Sequence, residues 1–365
     1  MQRRGPRRAA RREGAPGAAP RSRRAHLRLQ RLLLRSHARD AGRHHRAHAA
    51  RRRRAAAGLP GGRAVTRPHE AVVFDVQRFS LHDGPGIRTV VFFKGCGLAC
   101  VWCQNPEALR AAPELAYSAD RCLAGCARCV EVCPEQALAD HRAQRVDWAR
   151  CTACGRCVEV CPSAALRTIG RTVGVEALLA EILRDAPFYA QSGGGVTFSG
   201  GEPVLHAAFL AGLLPRLARA GVHVALETSG HYPFALLEPL LPWIDLVLYD
   251  VKAIDPARHR ALTGHDNAAV HANLRRLLAT GTPVQVRMPV IPEHNADSEQ
   301  IDATAAFLRG LGVATLALLP YNHLWEAKLP TLGGGRRPLG LRPPDEAFYA
   351  GVQQRFARAG IAAHW

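Results

Sequence analysis

Beyond residue 70 the chain alternates between short apolar runs and longer stretches whose apolar residues recur every three or four positions. Six of the runs, at 90–93, 195–199, 222–227, 246–250, 284–290 and 314–319, read as buried strands. A further short strand is expected at 71–76. Amphipathic helices are expected over 173–189, where Val175, Leu178, Leu179 and Ile182 fall on one face, and over 205–220, 233–241, 270–280 and 298–311. Alternation of this kind gives a parallel sheet covered by helices, the α/β class. Six units suit an open partial (β/α)6 barrel, because a closed eight-unit barrel needs two more strands than the pattern offers. Ligands of such folds gather at the carboxyl ends of the strands, so the polar residues that follow each run are the candidate site.

The first run leads through Lys94 and Gly95 into Cys96, Cys100 and Cys103, spaced C-x3-C-x2-C. Three thiolates on one tight loop can hold three irons of a cubane. Nothing nearby in the sequence offers a fourth ligand, and an iron without a protein thiolate is open to an exogenous one. A structural zinc site is the alternative, but it normally takes four ligands, often as two C-x2-C pairs.

Eight more cysteines interrupt the alternation between about 117 and 168: Cys122, Cys126, Cys129 and Cys133, then Cys151, Cys154, Cys157 and Cys161. The second set is C-x2-C-x2-C-x3-C-P, the bacterial ferredoxin run, whose fourth cysteine ligates the other cluster in two-cluster ferredoxins. One [4Fe–4S] cluster is therefore assigned to Cys122, Cys126, Cys129 and Cys161, and a second to Cys151, Cys154, Cys157 and Cys133. The first set departs by one residue, with C-x3-C at Cys122 to Cys126. Three, four and four ligands use all eleven cysteines. The two extra clusters could relay electrons to the first motif, or could stabilise a segment too small for its own core.

C-x3-C-x2-C with Trp102 just before its last cysteine resembles the signature of radical S-adenosylmethionine enzymes. Asp83-Gly84-Pro85-Gly86-Ile87-Arg88 ahead of it resembles the activating enzymes of glycyl radical enzymes, a likeness that runs through residues 71–365. The resemblance implies three [4Fe–4S] clusters and S-adenosylmethionine as cofactors, with the sulfonium cleaved reductively to a 5′-deoxyadenosyl radical. It implies as partners a glycyl radical enzyme, which gives up a hydrogen atom from a backbone glycine, and a flavodoxin- or ferredoxin-type electron donor. It also implies the cofactor contacts. Trp102 and Gln104 belong to the cysteine loop. Gly200, Gly201 and Glu202 would meet the methionyl amino group, and the Ser192–Gly195 run before them also looks like the family. Lys252 of Asp250-Val251-Lys252 would pair with the methionyl carboxylate while Asp250 balances the sulfonium or holds the lysine. Glu227 and the acid of the next strand would line a cation site. His259, Thr263, Gly264, Asn267 and Asn273 would face cofactor or partner, and Asn322 or His323, after Pro320-Tyr321, would reach the adenosyl group.

Charge changes the picture only at one end. The chain has a formal net charge of +19, which suggests nucleic acid. Residues 1–68, however, hold 21 of the 49 basic residues and two of the 30 acids, leaving 28 of each beyond them. The segment is expected to be disordered, since it has too little apolar surface to offset chain entropy. It could bind nucleic acid or act as a transit peptide; the favoured expectation is upstream sequence outside the working protein, with a start near Val65 or Val72. The expected organisation is thus a tail, 1–68, a barrel at 69–116 and 169–365, and an insert at 117–168. No apolar run approaches the roughly 18 residues of a membrane span. Dense cysteine clusters suit metal ligation in a reducing cytosol. Two other classes compete: an electron carrier of polyferredoxin type, which leaves the barrel unexplained, and a radical enzyme acting on nucleic acid, for which only the tail speaks.

Overall fold

The computed structural model describes residues 69–139 and 145–365, so the basic segment 1–68 and its expected disorder lie outside the described residues. Eleven strands are described: β1 Glu70–Ser80, β2 Arg88–Phe93, β3 Glu114–Tyr117, β4 Leu166–Ile169, β5 Arg171–Gly174, β6 Gly195–Gly200, β7 His223–Thr228, β8 Leu246–Asp250, β9 Val284–Val290, β10 Thr315–Pro320 and β11 Ala362–His364. Nine form one sheet in the order β11-β10-β9-β8-β7-β6-β2-β1-β5. From β2 to β11 every neighbouring pair is parallel, and β1 and β5 add two antiparallel strands at one edge. All six expected strands of the main sheet are there. The two edge strands do not pair with each other, so the sheet stays open.

The central strands are buried on both faces, as their unbroken apolar runs require: Val90, Val91, Val196, Phe198, Val224 and Val247 have no more than 1% exposure. Helices lay apolar stripes on the sheet. Leu210, Leu213, Leu214 and Leu217 do so from Ala207–Arg219, and Ile301, Ala305 and Leu308 from Ser298–Gly310. Around the main sheet, four of the elements that were not expected are instructive. Val173, read as the start of a helix, pairs with β1 instead, and the helix starts at Val175. Three-residue β11 is too short to show a period. The helix Pro256–Thr263 has no apolar stripe and is signalled only by Asp255, whose carboxylate caps Arg258 N–H. The helix Glu346–Arg358 carried a legible signal, Asp345 ahead of buried Tyr349, Val352 and Phe356.

The Asp83–Arg88 motif lies at the amino ends of the parallel strands, opposite the cysteine loop. There it interlocks with the Ser192–Gly195 run: Ile87 N–H donates to Ser192 Oγ at 2.9 Å and Gly195 N–H to Ile87 O at 3.2 Å. Arg88, wholly buried, donates to Thr197 Oγ1 at 2.6 Å, Pro85 O at 3.0 Å and Val196 O. Burial brings its pKa down to about 10. A Cβ on Gly194 would stand 1.9 Å from Ile87 O. Gly194→Ala is therefore expected to cost at least about 3 kcal/mol, read as a lower unfolding midpoint, through a clash that no rotamer relieves.

A second sheet pairs β3 with β4 and closes the cysteine-rich segment, so the boundaries expected at 117 and 168 fall within or beside its strands. Inside it, Arg-Cys-Val-Glu-Val-Cys-Pro occurs twice, at 128–134 and 156–162, and each copy opens with a single helical turn, Arg128–Glu131 and Arg156–Glu159. Gln136 and Ala164, each three residues past a Cys-Pro cysteine, share a left-handed backbone with φ of 47° and 50°. The segment is thus a repeat, with its two halves turned the same way after each Cys-Pro.

Candidate active site and cysteine cavities

At the carboxyl ends of β2, β6, β7, β8, β9 and β10 lies an open cleft of about 970 Å³. Cys96, Cys100 and Cys103 line it, with Trp102, Gln104, Gly200, Gly201, Glu227, Asp250, Lys252 and Asn322 facing them. The cysteine loop is held from several sides. Ala99 and Val101 N–H bond Thr263 and Leu262 carbonyls at 2.8 and 2.9 Å, and Arg336 donates to Cys100 O. Lys328 Nζ reaches Gln104 O at 2.9 Å and Glu107 Oε1 at 2.7 Å. Gln104 Nε2 in turn bonds Asn322 O at 3.2 Å, tying the loop to the far lip.

Gly200 and Gly201 are where β6 crosses closest to the end of β2. Cβ atoms there would stand 2.4 Å from Phe93 N and 2.2 Å from Gly95 O. Gly201 and Glu202 N–H are taken by Phe93 and Gly95 carbonyls at 2.8 Å each. Glu202 does not line the cleft. Its carboxylate is fully buried and accepts from Thr228 Oγ1 at 2.9 Å, Ser229 N–H at 2.9 Å, Ser229 Oγ at 2.7 Å and Val204 N–H at 3.3 Å. It braces the loop after β7.

Burial lifts the Glu202 pKa to about 7, only partly offset by the Ser229 and Thr228 bonds. An acid that binds its proton more tightly when folded stabilises the fold most below its unfolded pKa, and that contribution is lost as pH rises through the folded value. Relative to Glu202→Gln, the wild-type chain is expected to lose about 3 kcal/mol of unfolding free energy between pH 4.5 and 8. Parallel pH profiles of the two chains would refute this.

The floor of the cleft is a charged row. Ser199 Oγ donates to Glu227 Oε2 at 2.5 Å, and the Arg287 guanidinium pairs with Glu227 and with Asp250 Oδ1, the latter at 2.8 Å. Lys252 Nζ pairs with Asp250 Oδ2 at 2.9 Å. Burial alone would raise the Asp250 carboxyl, but Arg287 and Lys252 outweigh it and hold its pKa down. Burial would likewise lower the Lys252 ammonium, yet Asp250 holds its pKa up. Arg287 thus stands between the two acids read as a cation site, with each acid paired to it.

Other expected residues lie elsewhere. Val251 points into the core, with 1% exposure, and His323 is exposed outside the cleft lining. His259, Thr263, Asn267 and Asn273, read as facing cofactor or partner, are buried braces. Asn267 Nδ2 donates to Ala253 and Ile254 carbonyls, and Asn273 Nδ2 to those of Gly230 and Tyr232. Asn295, which the sequence did not suggest, likewise bridges Lys252 O at 2.8 Å and Pro289 O at 2.7 Å. Loops at strand ends leave carbonyls that only side chains can satisfy.

The insert holds two smaller cavities, of about 290 and 330 Å³. Cys122, Cys126, Cys129 and Cys161 line one, and Cys133, Cys151, Cys154 and Cys157 line the other. Each half of the repeat thus lends its Cys-Pro cysteine to the other's cavity, which suits the four-thiolate demand of a cubane. Among the described residues no three Cys, His, Asp or Glu side chains converge as a single metal ion requires. Burial pushes the cleft thiols up, Cys96 to about 12 and Cys103 to about 11.

Residues 90–307 match the family model described as the radical SAM superfamily. The isethionate sulfite-lyase activating enzyme of Nitratidesulfovibrio vulgaris is 46% identical over 269 residues, 72% of this chain and 87% of that protein. The benzylsuccinate synthase activating enzyme of Thauera aromatica is 41% identical, over 72% of this chain and 82% of its own length. The (2S)-3-sulfopropanediol dehydratase activating enzyme of Klebsiella oxytoca is 38% identical, over 80% and 95%.

Proposed function

The chain belongs to the radical S-adenosylmethionine superfamily and, within it, to the activating enzymes of glycyl radical enzymes, and on that premise we propose how its own residues carry the reaction. The observation that carries the proposal is the cleft wall: three thiols and no fourth cysteine, opposite Lys252 and Asp250. Cys96, Cys100 and Cys103 would hold three irons of a cubane, the fourth being left to the methionyl amino and carboxylate groups. When bound, cluster and S-adenosylmethionine supply a 5′-deoxyadenosyl radical that takes a hydrogen atom from a glycine of the partner. Lys252 offers a cation to the methionyl carboxylate, and Asp250, fixed by Arg287, holds that lysine in place. The Gly200–Gly201 wall, without side chains, would leave room for the methionyl chain. Asn322, which lines the cleft and whose carbonyl accepts from Gln104, is favoured over His323, which does not line it, for the adenosyl group.

The two insert cavities would each hold a further [4Fe–4S] cluster on their four cysteines, which would supply a path for electrons from a flavodoxin- or ferredoxin-type donor toward the cleft. The partner is a glycyl radical enzyme; the relatives' names differ in that enzyme's substrate but agree on its kind. No helix of the described residues is long and apolar enough to cross a membrane.

The test is anaerobic. The full chain is reconstituted with iron and sulfide, reduced with dithionite and supplied with S-adenosylmethionine, and 5′-deoxyadenosine and iron are assayed together. About twelve irons per chain, four for each cubane, with release of the nucleoside is the expected result. Twelve irons without cleavage would favour an electron carrier, and about four would remove the insert clusters from the proposal.

A further inference from the structure

The two insert cavities share a peptide but not a charge. The guanidinium of Arg145, 2% exposed, donates to Cys129 Sγ at 3.2 Å and Cys126 O at 3.1 Å in the first cavity. The Tyr117 hydroxyl bonds both Cys122 and Arg145 there. Arg128 also lines this cavity, and among the described residues no acid does. The second cavity is lined mainly by apolar and small residues, and its one charged lining residue is Glu135, whose counterpart in the repeat is Ser163. It also carries Cys154, the one exposed cysteine among the eleven.

We infer that Arg145 sets the order of reduction within the insert, holding the cluster bound by Cys122, Cys126, Cys129 and Cys161 at the higher potential. The inference rests on the assignment of a cluster to each cavity. Reducing a cubane adds one negative charge, so a buried cation favours the reduced form, while an exposed acid opposes it more weakly. A hydrogen bond to a ligand sulfur acts in the same direction as the cation. The step would be one electron: a flavodoxin- or ferredoxin-type donor is oxidised, the insert cluster beside Arg145 is the first to be reduced at equilibrium, and no proton is needed.

The test is a redox titration of the reconstituted full chain followed by electron paramagnetic resonance, with iron content as a control. S-adenosylmethionine perturbs the signal of the cleft cluster, and Cys154→Ser that of the second cavity, so each signal can be assigned. The two insert couples are expected to differ by at least tenfold in equilibrium constant, about 59 mV for a one-electron couple, with the Arg145 cavity reduced first. Arg145→Gln is expected to erase about that factor while iron stays complete, and Arg145→Lys to keep most of it. Coincident potentials in the wild-type chain, or Arg145→Gln with full iron and unmoved potentials, would overturn the inference. If Arg145→Gln loses iron, the wild-type splitting and Arg145→Lys decide. A wild-type chain well short of about twelve irons would defeat the cluster assignment instead.

Discussion

Lys94→Met is expected to destabilise the chain by about 3–5 kcal/mol, the scale seen when one partner of a buried ion pair is removed, and to strip iron from the cleft. Lys94 follows β2 directly and has no exposed surface. Its ammonium donates to Glu114 Oε1 at 2.6 Å and to Glu107 O at 2.5 Å. One side chain therefore ties the sheet to both ends of the segment between the cysteine loop and the insert. Methionine matches its length but leaves Glu114 buried beside only Arg110, 3.9 Å away and mostly exposed. Arginine is no remedy, since the lysine stem already passes where a Cβ on Gly170 would be, 2.5 Å away. The second change Glu114→Gln removes the stranded charge and is expected to recover more than half of the loss, a coupling that a double-mutant cycle measures. An unchanged unfolding midpoint with full iron in Lys94→Met would show that the pair holds nothing together.

That lysine marks the limit of what the sequence discloses. The parallel strands were legible because strands buried on both faces are apolar without interruption. The cysteine spacing was legible because ligands of one cluster cluster in sequence, and the two insert cavities gather the eight thiols in the sets that the ferredoxin run suggests. What braces the cleft was not legible. Arg336 and Cys100 are 236 residues apart and Lys328 and Gln104 are 224 apart, and no local pattern joins them. Polar residues near strand ends answer to two demands. Glu202, Asn267 and Asn273 sit where ligand contacts are sought, yet irregular loops bring unsatisfied backbone groups to the same place, and these side chains turn inward to meet them. The Asp83–Arg88 motif carries family likeness but sits at the other end of the sheet, so its glycines serve packing and not the cofactor.

Arg287→Met is expected to weaken S-adenosylmethionine binding about 10–100-fold, or about 1.4–3 kcal/mol. The cleft floor as built is balanced: Glu227 and Asp250 face Arg287 and Lys252. Without the guanidinium, Asp250 loses the partner that fixes it, and Lys252 loses the firm hold that keeps it in place for the methionyl carboxylate. The pH dependence separates this from a packing defect. In the wild-type chain the Asp250 pKa is held down against burial, so the carboxylate is ionised well above its folded pKa and binding is flat from pH 8 to 6. With Arg287 gone, burial is opposed by Lys252 alone, and the Asp250 pKa rises toward that interval. Protonation then releases the grip on Lys252, so the loss of affinity grows as pH falls. Arg287→Lys restores one charge but not the fork that spans both acids, and should fall between the two. Affinity is read from the change that S-adenosylmethionine makes in the resonance of the reduced cleft cluster, with iron content verifying that the cluster is present. An unchanged affinity at pH 6 in the fully loaded variant would mean that the row is scaffolding and that the cofactor is held elsewhere in the cleft.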